Sequence, residues 1–246
     1  MTGKIFLILG ASSDLGLELI KTLDEKNADC LFLAHYNCSK EKLEKMELHG
    51  SNKIECIQAD LSNMQQVDSL ISQVKEFTAA PTHIVHLAAL PFKYMKLKEF
   101  NREAFIKNMD VQVCSFAKIM QAFLPTMAKR KQHDKVVVML TSYLNGMPPK
   151  FMEDYIITKY ALLGLFKSIA SDYSGKQINI NAVSPSMIET KFLKNIDERI
   201  VKMTAEKSPE GRNAMPSDVI PVIKFLLSDD SNYIHGQNIS VNNGEN

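Results

Sequence analysis

The chain has 246 residues, of which 45% are hydrophobic, enough to bury the core of one large domain or two small ones. Its formal charge of +1 gives no electrostatic reason to expect a nucleic-acid partner or an acidic membrane surface. An apolar strand that begins by Ile5 leaves no room for a signal peptide, and the apolar runs fall well below the ~18 residues that span a bilayer. The four cysteines lack the spacing of disulfide scaffolds or metal sites, which is typical of free thiols in a cytoplasmic protein.

The first predicted elements are a strand, a small-residue turn and a helix. Residues 5–9 form a continuous apolar run, as in a strand that is buried on both faces. Leucines then recur every fourth residue from Leu15, which predicts a helix. The turn can bring its backbone N–H groups and the positive end of the helix against a pyrophosphate, so we predict phosphate binding; the alternative is an ordinary tight turn. The turn residues are Gly10, Ser12, Ser13, Asp14, Leu15 and Gly16.

The second predicted strand, residues 30–34, bears on the choice of dinucleotide. An NAD site of this type has an acidic residue about 20 positions beyond the glycine turn, where it binds the ribose 2′-hydroxyl. The count from Gly16 ends at Ala34 and His35, without a carboxylate. No anion there would repel a 2′-phosphate, so NADP(H) is favoured and NAD(H) is the alternative. Four side chains can donate to that phosphate: His35, Asn37, Ser39 and Lys40. The alternative is that His35 and Lys40 cap a solvated loop.

The alternation of strands and helices continues along the chain. Helices lie between the later strands, and the longest runs from about Arg102 to Pro125. This order predicts an α/β fold with a parallel sheet, whose ligands bind at the carboxyl ends of the strands. Residues 191–215 are longer than an ordinary connection and predict a substrate lid. The later strands are predicted at residues 54–59, 83–89, 136–140, 178–183 and 239–241.

A phenol and an ammonium group lie one helical turn apart at Tyr155 and Lys159. Such a pair can turn a weak acid into a usable proton donor. The same spacing recurs at positions 36/40 and 94/98, but those pairs fall beside the second strand and in a loop. The pair at 155/159 has a strand-end serine, Ser142, upstream and a packed helix behind it. The alternatives, residue by residue, are a surface tyrosine, an exposed lysine and a serine that caps a turn.

Over essentially its whole length, the chain resembles a single-domain short-chain dehydrogenase/reductase. The matching pieces, in order, are Gly10…Gly16, Asp60, Ser142, Tyr155…Lys159, Asn181…Pro185…Thr190 and the ending Gly236-Gln237…Val241-Asn242-Asn243-Gly244. The resemblance implies a Rossmann-type α/β fold, with a doubly wound parallel sheet of about seven strands and helices on both faces. It also implies one NAD(P)-binding domain over residues 1–246. The implied cofactor contacts beyond the turn are His35, Tyr36, Asn37, Asp60, Leu61, Ala88, Ala89, Tyr155, Lys159, Pro185, Ile188 and Thr190.

In that family a hydride passes between nicotinamide C4 and a carbonyl carbon while a tyrosine, here Tyr155, protonates the oxygen. A free tyrosine has a pKa near ~10, too high for efficient transfer, and the Lys159 ammonium would lower it. Ser142 would donate a hydrogen bond to the same oxygen, and Lys159 would also hold the nicotinamide ribose. Gln112 stands where the family has a catalytic-site asparagine that holds a relay water, so we expect a relay with shifted geometry.

Two departures from the family pattern concern the cofactor site. His86-Leu87-Ala88-Ala89 replaces the usual Asn-Asn-Ala-Gly, so the hydrogen bonds from this strand end to the glycine turn must be arranged differently. We interpret His86 itself as a core histidine. Asp14 replaces the middle glycine of the turn, and its carboxylate would bring negative charge near the pyrophosphate unless the side chain caps the helix.

We interpret the chain as a cytoplasmic NADP(H)-dependent carbonyl reductase, which is an alcohol dehydrogenase in reverse. Reduction of 3-oxoacyl groups on acyl carrier protein is the leading hypothesis, because an apolar pocket rim adjoins a basic loop that could meet an acidic carrier. The alternatives are a reductase of a sugar, polyol or steroid-like alcohol, and a cofactor-binding scaffold without turnover. The resemblance implies a homodimer or homotetramer through the two long helices, and we expect no metal, membrane or nucleic-acid partner. The basic loop comprises Lys93, Lys96, Lys98 and Arg102.

Overall fold

A computed structural model describes residues 3–245 and contains a seven-stranded parallel sheet. Its strands are β1 (Ile5–Leu9), β2 (Leu31–Tyr36), β3 (Lys53–Gln58), β4 (His83–His86), β5 (Asp134–Met139), β6 (Ile178–Pro185) and β7 (Asn238–Val241). They follow the order β3-β2-β1-β4-β5-β6-β7, and each neighbouring pair is parallel. The chain builds outward from β1 to β3 and then returns to β4, so the direction of winding reverses between β1 and β4. The predicted Rossmann-type, doubly wound α/β fold is confirmed.

Helices cover both faces of the sheet. They are α1 (Asp14–Asp24), α2 (Glu41–Glu44), α3 (Met64–Phe77), α4 (Arg102–Met109), α5 (Ser115–Met127), α6 (Glu153–Asp172), α7 (Glu198–Lys207) and α8 (Pro216–Leu226). A π-helical turn, Asp110–Cys114, joins α4 to α5, so the long helix predicted from about Arg102 is one element with a wider turn inside it. None of the helices within residues 3–245 is long and apolar enough to cross a bilayer.

Alternate side chains of each strand pack on opposite faces of the sheet, as β1 illustrates. Leu7 and Leu9 lie in a core cluster with residues of α3, α5 and α6, whereas Phe6 and Ile8 lie in a second cluster with residues of α1 and α8. All four side chains are at most 1% exposed. Fully burying a side chain of this size contributes roughly 1.5–3 kcal/mol. Burial on both faces explains why β1 is a continuous apolar run rather than an alternating one.

Two strand boundaries at the carboxyl edge of the sheet differ from the prediction. β4 ends at His86 rather than at residue 89, and β6 continues past residue 183 to Pro185. Residues 87–90 therefore leave the sheet beside the glycine turn. Residues 191–215, predicted as a lid, contain a 3₁₀ turn (Lys191–Asn195) followed by α7.

Candidate active site

A cleft of about 740 Å³ opens at the carboxyl edge of the sheet, where the winding reverses. The glycine turn, the ends of several strands, α6 and the start of the segment predicted as a lid form its wall. Four predicted site residues do not line it: Gly16, Tyr36, Gln112 and Ser142. The predicted site residues that do line it are Gly10, Ser12, Ser13, Asp14, Leu15, His35, Asn37, Asp60, Leu61, Ala88, Ala89, Tyr155, Lys159, Pro185, Ile188 and Thr190.

The glycine turn is packed so closely that its two glycines have no room for side chains. Ser13 caps α1, since its Oγ accepts from the Gly16 N–H at 3.1 Å and donates to the Gly10 carbonyl at 2.7 Å. Gly10 has φ +84°, and a Cβ there would lie 3.0 Å from the Ala88 backbone. A Cβ at Gly16 would lie 2.5 Å from the Ala11 carbonyl oxygen. Gly16 therefore shapes the turn from behind the cleft.

His35 organises the glycine turn and offers no donor to a 2′-phosphate, which corrects our expectation. Its ring is 3% exposed; Nδ1 accepts from the Gly10 N–H at 3.0 Å, so Nε2 carries the proton and donates to the Ala59 carbonyl at 2.9 Å. Burial lowers the pKa of His35 to about 4, which keeps the imidazole neutral near pH 7. Residues 86–89 lack the asparagines that are usual in the family, and the His35 ring supplies a hydrogen bond to the glycine turn in their place.

Other side chains stand where His35 was expected to act. Ser39 and Lys42 line the cleft beside Asn37, and Lys42 escaped the sequence analysis because it lies in α2, beyond the strand. Lys40 does not line the cleft and instead pairs with a glutamate one turn further along α2. Tyr36 is 7% exposed and packs in the core cluster of α1 and α8, so its predicted cofactor contact is also corrected.

Tyr155 and Lys159 stand one turn apart on α6, and both line the cleft. The Lys159 Nζ lies 5.8 Å from the centroid of the Tyr155 ring and donates to the Met139 carbonyl at 2.9 Å. Burial raises the pKa of Tyr155 to about 12 and lowers that of Lys159 to about 7. In the protein alone, burial is the main cause acting on the Tyr155 pKa, and the lowering that we expected from Lys159 is not observed.

Thr141 lines the cleft beside Tyr155, whereas Ser142 does not. A hydrogen bond from the Thr141 hydroxyl lowers the pKa of Tyr155, against the larger effect of burial. Ser142 begins a 3₁₀ turn (Ser142–Leu144) and is 8% exposed. The spacing from Tyr155 pointed to Ser142, but the chain turns at this residue into the 3₁₀ turn, and Ser142 does not line the cleft. Thr141 directly precedes Ser142 in the sequence, just after β5, and this position is the feature from which its place in the cleft could have been predicted.

Gln112 lies in the π-helical turn, is 1% exposed and does not reach the cleft. Its backbone carbonyl accepts from His86 Nε2 at 2.9 Å. Burial lowers the pKa of His86 to about 3, and the prediction that His86 is a core histidine is confirmed. Within residues 3–245 the Gln112 Oε1 and the His86 Nδ1 have no hydrogen-bond partner. The main-chain carbonyl of Gln112, the predicted relay position, therefore already accepts a hydrogen bond from His86.

Aromatic side chains cover the Tyr155 end of the cleft. Phe92 stacks on Tyr155, with ring centroids 4.5 Å apart and an interplanar angle of 25°. Tyr94 and Phe192 lie 5.9 and 5.8 Å from Phe92, centroid to centroid. The loop after β4 supplies Phe92 and Tyr94, and the first turn of the lid supplies Phe192. We expected an apolar rim of eight residues from the sequence, and three of them, Met147, Pro148 and Phe151, do not line the cleft. The five that do are Leu90, Phe92, Met187, Phe192 and Leu193.

Comparison with known proteins gives this site its class. Residues 10–246 match a family model described as Enoyl-(Acyl carrier protein) reductase. The chain belongs to this family of short-chain dehydrogenases/reductases, which are NAD(P)-binding oxidoreductases that act on alcohols and carbonyl compounds.

Individual relatives are named for different activities. The chain is 26% identical to 3-oxoacyl-[acyl-carrier-protein] reductase FabG of Thermotoga maritima over 99% of this chain and 98% of that protein. It is 27% identical to 3alpha-hydroxysteroid dehydrogenase of Mediterraneibacter gnavus over 98% and 96%. A gluconate 5-dehydrogenase from Burkholderia cenocepacia, solved with NADP and tartrate, superposes with a TM-score of 0.83 at 21% identity, over 99% of this chain and 95% of that one. The family follows from the match to its model, and these relatives are named for different substrates.

Proposed function

We propose that the protein is an NADP(H)-dependent carbonyl reductase in which Tyr155 is the proton donor. The observation that carries the proposal is that Tyr155 and Lys159 share a cleft with the glycine turn. A phenol with a pKa of about 12 keeps its proton at neutral pH, so Tyr155 is in the acid form that a reduction requires. The Lys159 ammonium would stabilise the phenolate that proton transfer leaves behind.

The residues of the cleft fit a nicotinamide dinucleotide. The Gly10 turn opens α1, whose first N–H groups favour an anion, and it leads along the wall to Tyr155. When bound, the nicotinamide supplies the hydride. Two further roles are proposed on the family pattern. Ser142 would orient the substrate carbonyl, and Gln112 would occupy the position of the proton relay. The residues proposed to hold the dinucleotide are Gly10, Ser12, Ser13, Asp14, Leu15, Asn37, Asp60, Leu61, Ala88, Ala89, Tyr155, Lys159, Pro185, Ile188 and Thr190.

Tyr155→Phe tests the proposed chemistry. The ring and its contact with Phe92 are kept while the proton is lost, so kcat should fall by at least ~10²-fold with little change in NADPH affinity. Tyr173→Phe, near the other end of α6 and off the cleft wall, is the matched control. Full activity in Tyr155→Phe would rule out the mechanism. NADPH binding without oxidation by the wild type on a broad carbonyl panel would favour the scaffold alternative.

The proposed preference for NADP(H) rests on the residues after β2. That strand ends without a carboxylate, and Ser39 and Lys42 line the cleft there. We expect NADPH to bind more tightly than NADH in fluorescence titrations. Lys42→Met should weaken NADPH roughly tenfold and leave NADH nearly unchanged, because a charged hydrogen bond to the 2′-phosphate is lost. Equal losses for both cofactors would contradict the assignment.

Reduction of 3-oxoacyl groups on acyl carrier protein is the substrate we propose first, supported by the 26% identical reductase from Thermotoga maritima. The loop with Lys93, Lys96 and Lys98 is exposed beside the aromatic end of the cleft, so it can meet an acidic carrier. Changing Lys93 and Lys96 to glutamate should raise KM for the carrier-linked substrate and spare a short acyl thioester. Unchanged turnover of the carrier-linked substrate would eliminate the carrier.

A sugar, polyol or steroid-like alcohol is the second proposed substrate class. The aromatic cluster around Phe92 offers flat apolar surface to a ring system, and relatives of this chain are named for hydroxysteroid and gluconate substrates. Relative kcat/KM for an acyl thioester, a polyol and a steroid alcohol distinguishes the two classes.

We also propose one cytoplasmic domain over residues 1–246, with a lid at 191–215, that assembles as a homodimer or homotetramer through α4–α5 and α6. Ile106 on α4 and Ile157 on α6 are 41% and 46% exposed, and burying such side chains between subunits favours association. Ile157→Asp should lower the mass that sedimentation detects.

A further inference from the structure

Asp14 contacts the lid across the cleft. Ser13 already caps α1, so the Asp14 carboxylate is free for other partners. Its Oδ2 accepts from the Lys191 backbone N–H at 2.8 Å, and its Oδ1 lies 3.3 Å from Lys42 Nζ. Burial acts to raise the pKa of Asp14, but these two bonds lower it below its ordinary value, so the carboxylate is ionised near neutral pH. The negative charge that the sequence brought to the turn is thus paired with the lid and α2.

The same lid turn also contacts the catalytic end of the cleft. Lys191, which is 177 positions from Asp14, is the first residue of the 3₁₀ turn, and Phe192 follows it. Phe192 contacts Phe92, and Phe92 stacks on Tyr155. One turn of chain therefore links the glycine turn to the aromatic cover of the proton donor, with the cleft between them.

We propose that Asp14 is a positioning residue that holds the first turn of the lid over the cleft and thereby limits the rate at which a dinucleotide enters and leaves. This inference rests on the proposed function for its ligand. Asp14, Lys42 and Lys191 all line the cleft, so the contact between Asp14 and the lid lies on the wall of the space that a dinucleotide would occupy. Opening the lid requires that the ionised carboxylate give up its hydrogen bond from the Lys191 N–H, while Lys42 on α2 stays beside it.

Two variants separate the charge of Asp14 from its hydrogen bonds. Asp14→Ala removes both contacts, whereas Asp14→Asn keeps an acceptor for the Lys191 N–H and loses the ion pair with Lys42. The matched control is Asp68→Ala, which removes another aspartate–lysine pair, 2.7 Å between Asp68 and Lys118, away from the cleft wall. Thermal unfolding of each variant confirms that it is folded before use.

The first measurement is limited trypsin digestion of the ligand-free protein, with cleavage after Lys191 and Lys194 followed by mass spectrometry. The second is release of NADPH, followed by stopped-flow fluorescence with excess NADP⁺ as competitor. We expect Asp14→Ala to be cleaved several-fold faster in the lid and to release NADPH roughly tenfold faster, because hydrogen bonds to a charged group are lost. Asp14→Asn should fall between, and Asp68→Ala should match the wild type.

Lid cleavage of Asp14→Ala at the wild-type rate would overturn the inference, whatever the cofactor does. Faster cleavage with unaltered NADPH release would overturn the claim that the lid contact limits exchange. If the wild type binds neither NADPH nor NADH, the proposed function fails and the exchange claim fails with it. The digestion still decides whether Asp14 holds the lid.

Discussion

The surroundings of Tyr155 and Lys159 show that one cause, burial, moves two pKa values in opposite directions. Removing water disfavours whichever form carries the charge, so the phenol keeps its proton and the amine loses its proton more easily. Near pH 7 the result is a protonated Tyr155 beside a Lys159 whose charge titrates there. The hydrogen bond from Thr141 acts to lower the Tyr155 pKa and would help the charged form of Lys159 to stabilise a phenolate.

We expect Thr141→Val to make Tyr155 a weaker acid. Valine keeps the shape of threonine without the hydroxyl, so the pKa of Tyr155 should rise further because the hydrogen bond that lowers it is lost. In the proposed mechanism ionised Tyr155 is the base for alcohol oxidation, so kcat/KM should reach its plateau at higher pH than in the wild type. Ser142→Ala is the comparison. It removes the hydroxyl that is proposed to orient the substrate, so it should lower kcat/KM without changing the pH at which kcat/KM reaches its plateau. If kcat/KM of Thr141→Val reached its plateau at the same pH as that of the wild type, the hydrogen bond between Thr141 and Tyr155 would be contradicted.

The π-helical turn between α4 and α5 depends on a residue of the sheet. Such a turn widens the helix and leaves a carbonyl without its ordinary partner. Here the Gln112 carbonyl accepts from His86 at the end of β4, and the His86 ring stacks on Phe116 of α5 at 4.8 Å. Since burial lowers the His86 pKa to about 3, the donor is a neutral imidazole. The helix and β4 are thereby fastened together beside the cleft.

His86→Phe should destabilise the protein because it keeps the aromatic stack and leaves the Gln112 carbonyl buried without a donor. We expect a loss of roughly 1–3 kcal/mol in urea unfolding at pH 7.5. The unfolded histidine titrates near ~6.5, so the wild type loses stability as pH falls from there toward 3, and the variant is spared that loss. The cost of the substitution should therefore be smaller at pH 5.

His49→Phe is the control for the sign of this effect. His49 is exposed and its pKa is raised by the hydrogen bond with Asp24, so its contribution is present at acid pH and is lost as pH rises. The cost of His49→Phe should grow toward pH 5, opposite to that of His86→Phe. A His86→Phe variant with wild-type stability at both pH values would show that the Gln112 carbonyl needs no donor.

The sequence predicts elements well where one short stretch determines them. The apolar run of β1 follows from burial on both faces, and the cleft residues follow from strand ends that meet at one edge of a parallel sheet. Contacts between distant segments could not be predicted this way. Asp14 and Lys191 meet only after the lid folds back, and the side chain of His35 could have faced the ligand or the turn. The π-helical turn changes the helical period by one residue, which an apolar stripe does not reveal.

On the scale of the whole molecule, the two edges of the sheet have different chemistry. The carboxyl edge holds the cleft, whereas the amino edge buries Lys135 at the start of β5. The Lys135 Nζ donates to Asn179 Oδ1 at 3.0 Å, Ser231 Oγ at 3.2 Å and Asn232 Oδ1 at 2.6 Å. These contacts fasten β5 to β6 and to the segment before β7. The three acceptors are neutral, and burial lowers the pKa of Lys135 to about 8.

Lys135 should therefore make the protein more stable at alkaline pH. The unfolded lysine titrates near ~10.4, so between about pH 8 and 10 the unfolded chain binds more protons than the folded one. Stability then rises with pH by up to ~1.4 kcal/mol per unit. Lys135→Met fills the same volume without titrating, so urea unfolding at pH 7.5, 8.5 and 9.5 should show a smaller rise than in the wild type. Lys159, with its pKa lowered to about 7, also makes the free energy of unfolding rise with pH, and this contribution is the same in the wild type and in Lys135→Met.

Lys167→Met is the reference for losing a lysine from the surface, because Lys167 is exposed and donates to a single carbonyl, that of Gly236. Lys167→Met should show the same rise in the free energy of unfolding at alkaline pH as the wild type. Lys135→Met should also keep the kcat/KM of the wild type, since Lys135 lies at the edge of the sheet opposite the cleft. An undiminished rise in Lys135→Met would mean that the buried ammonium titrates alike in the folded and unfolded chain. In that case the three neutral acceptors would fully replace the water that Lys135 loses on folding.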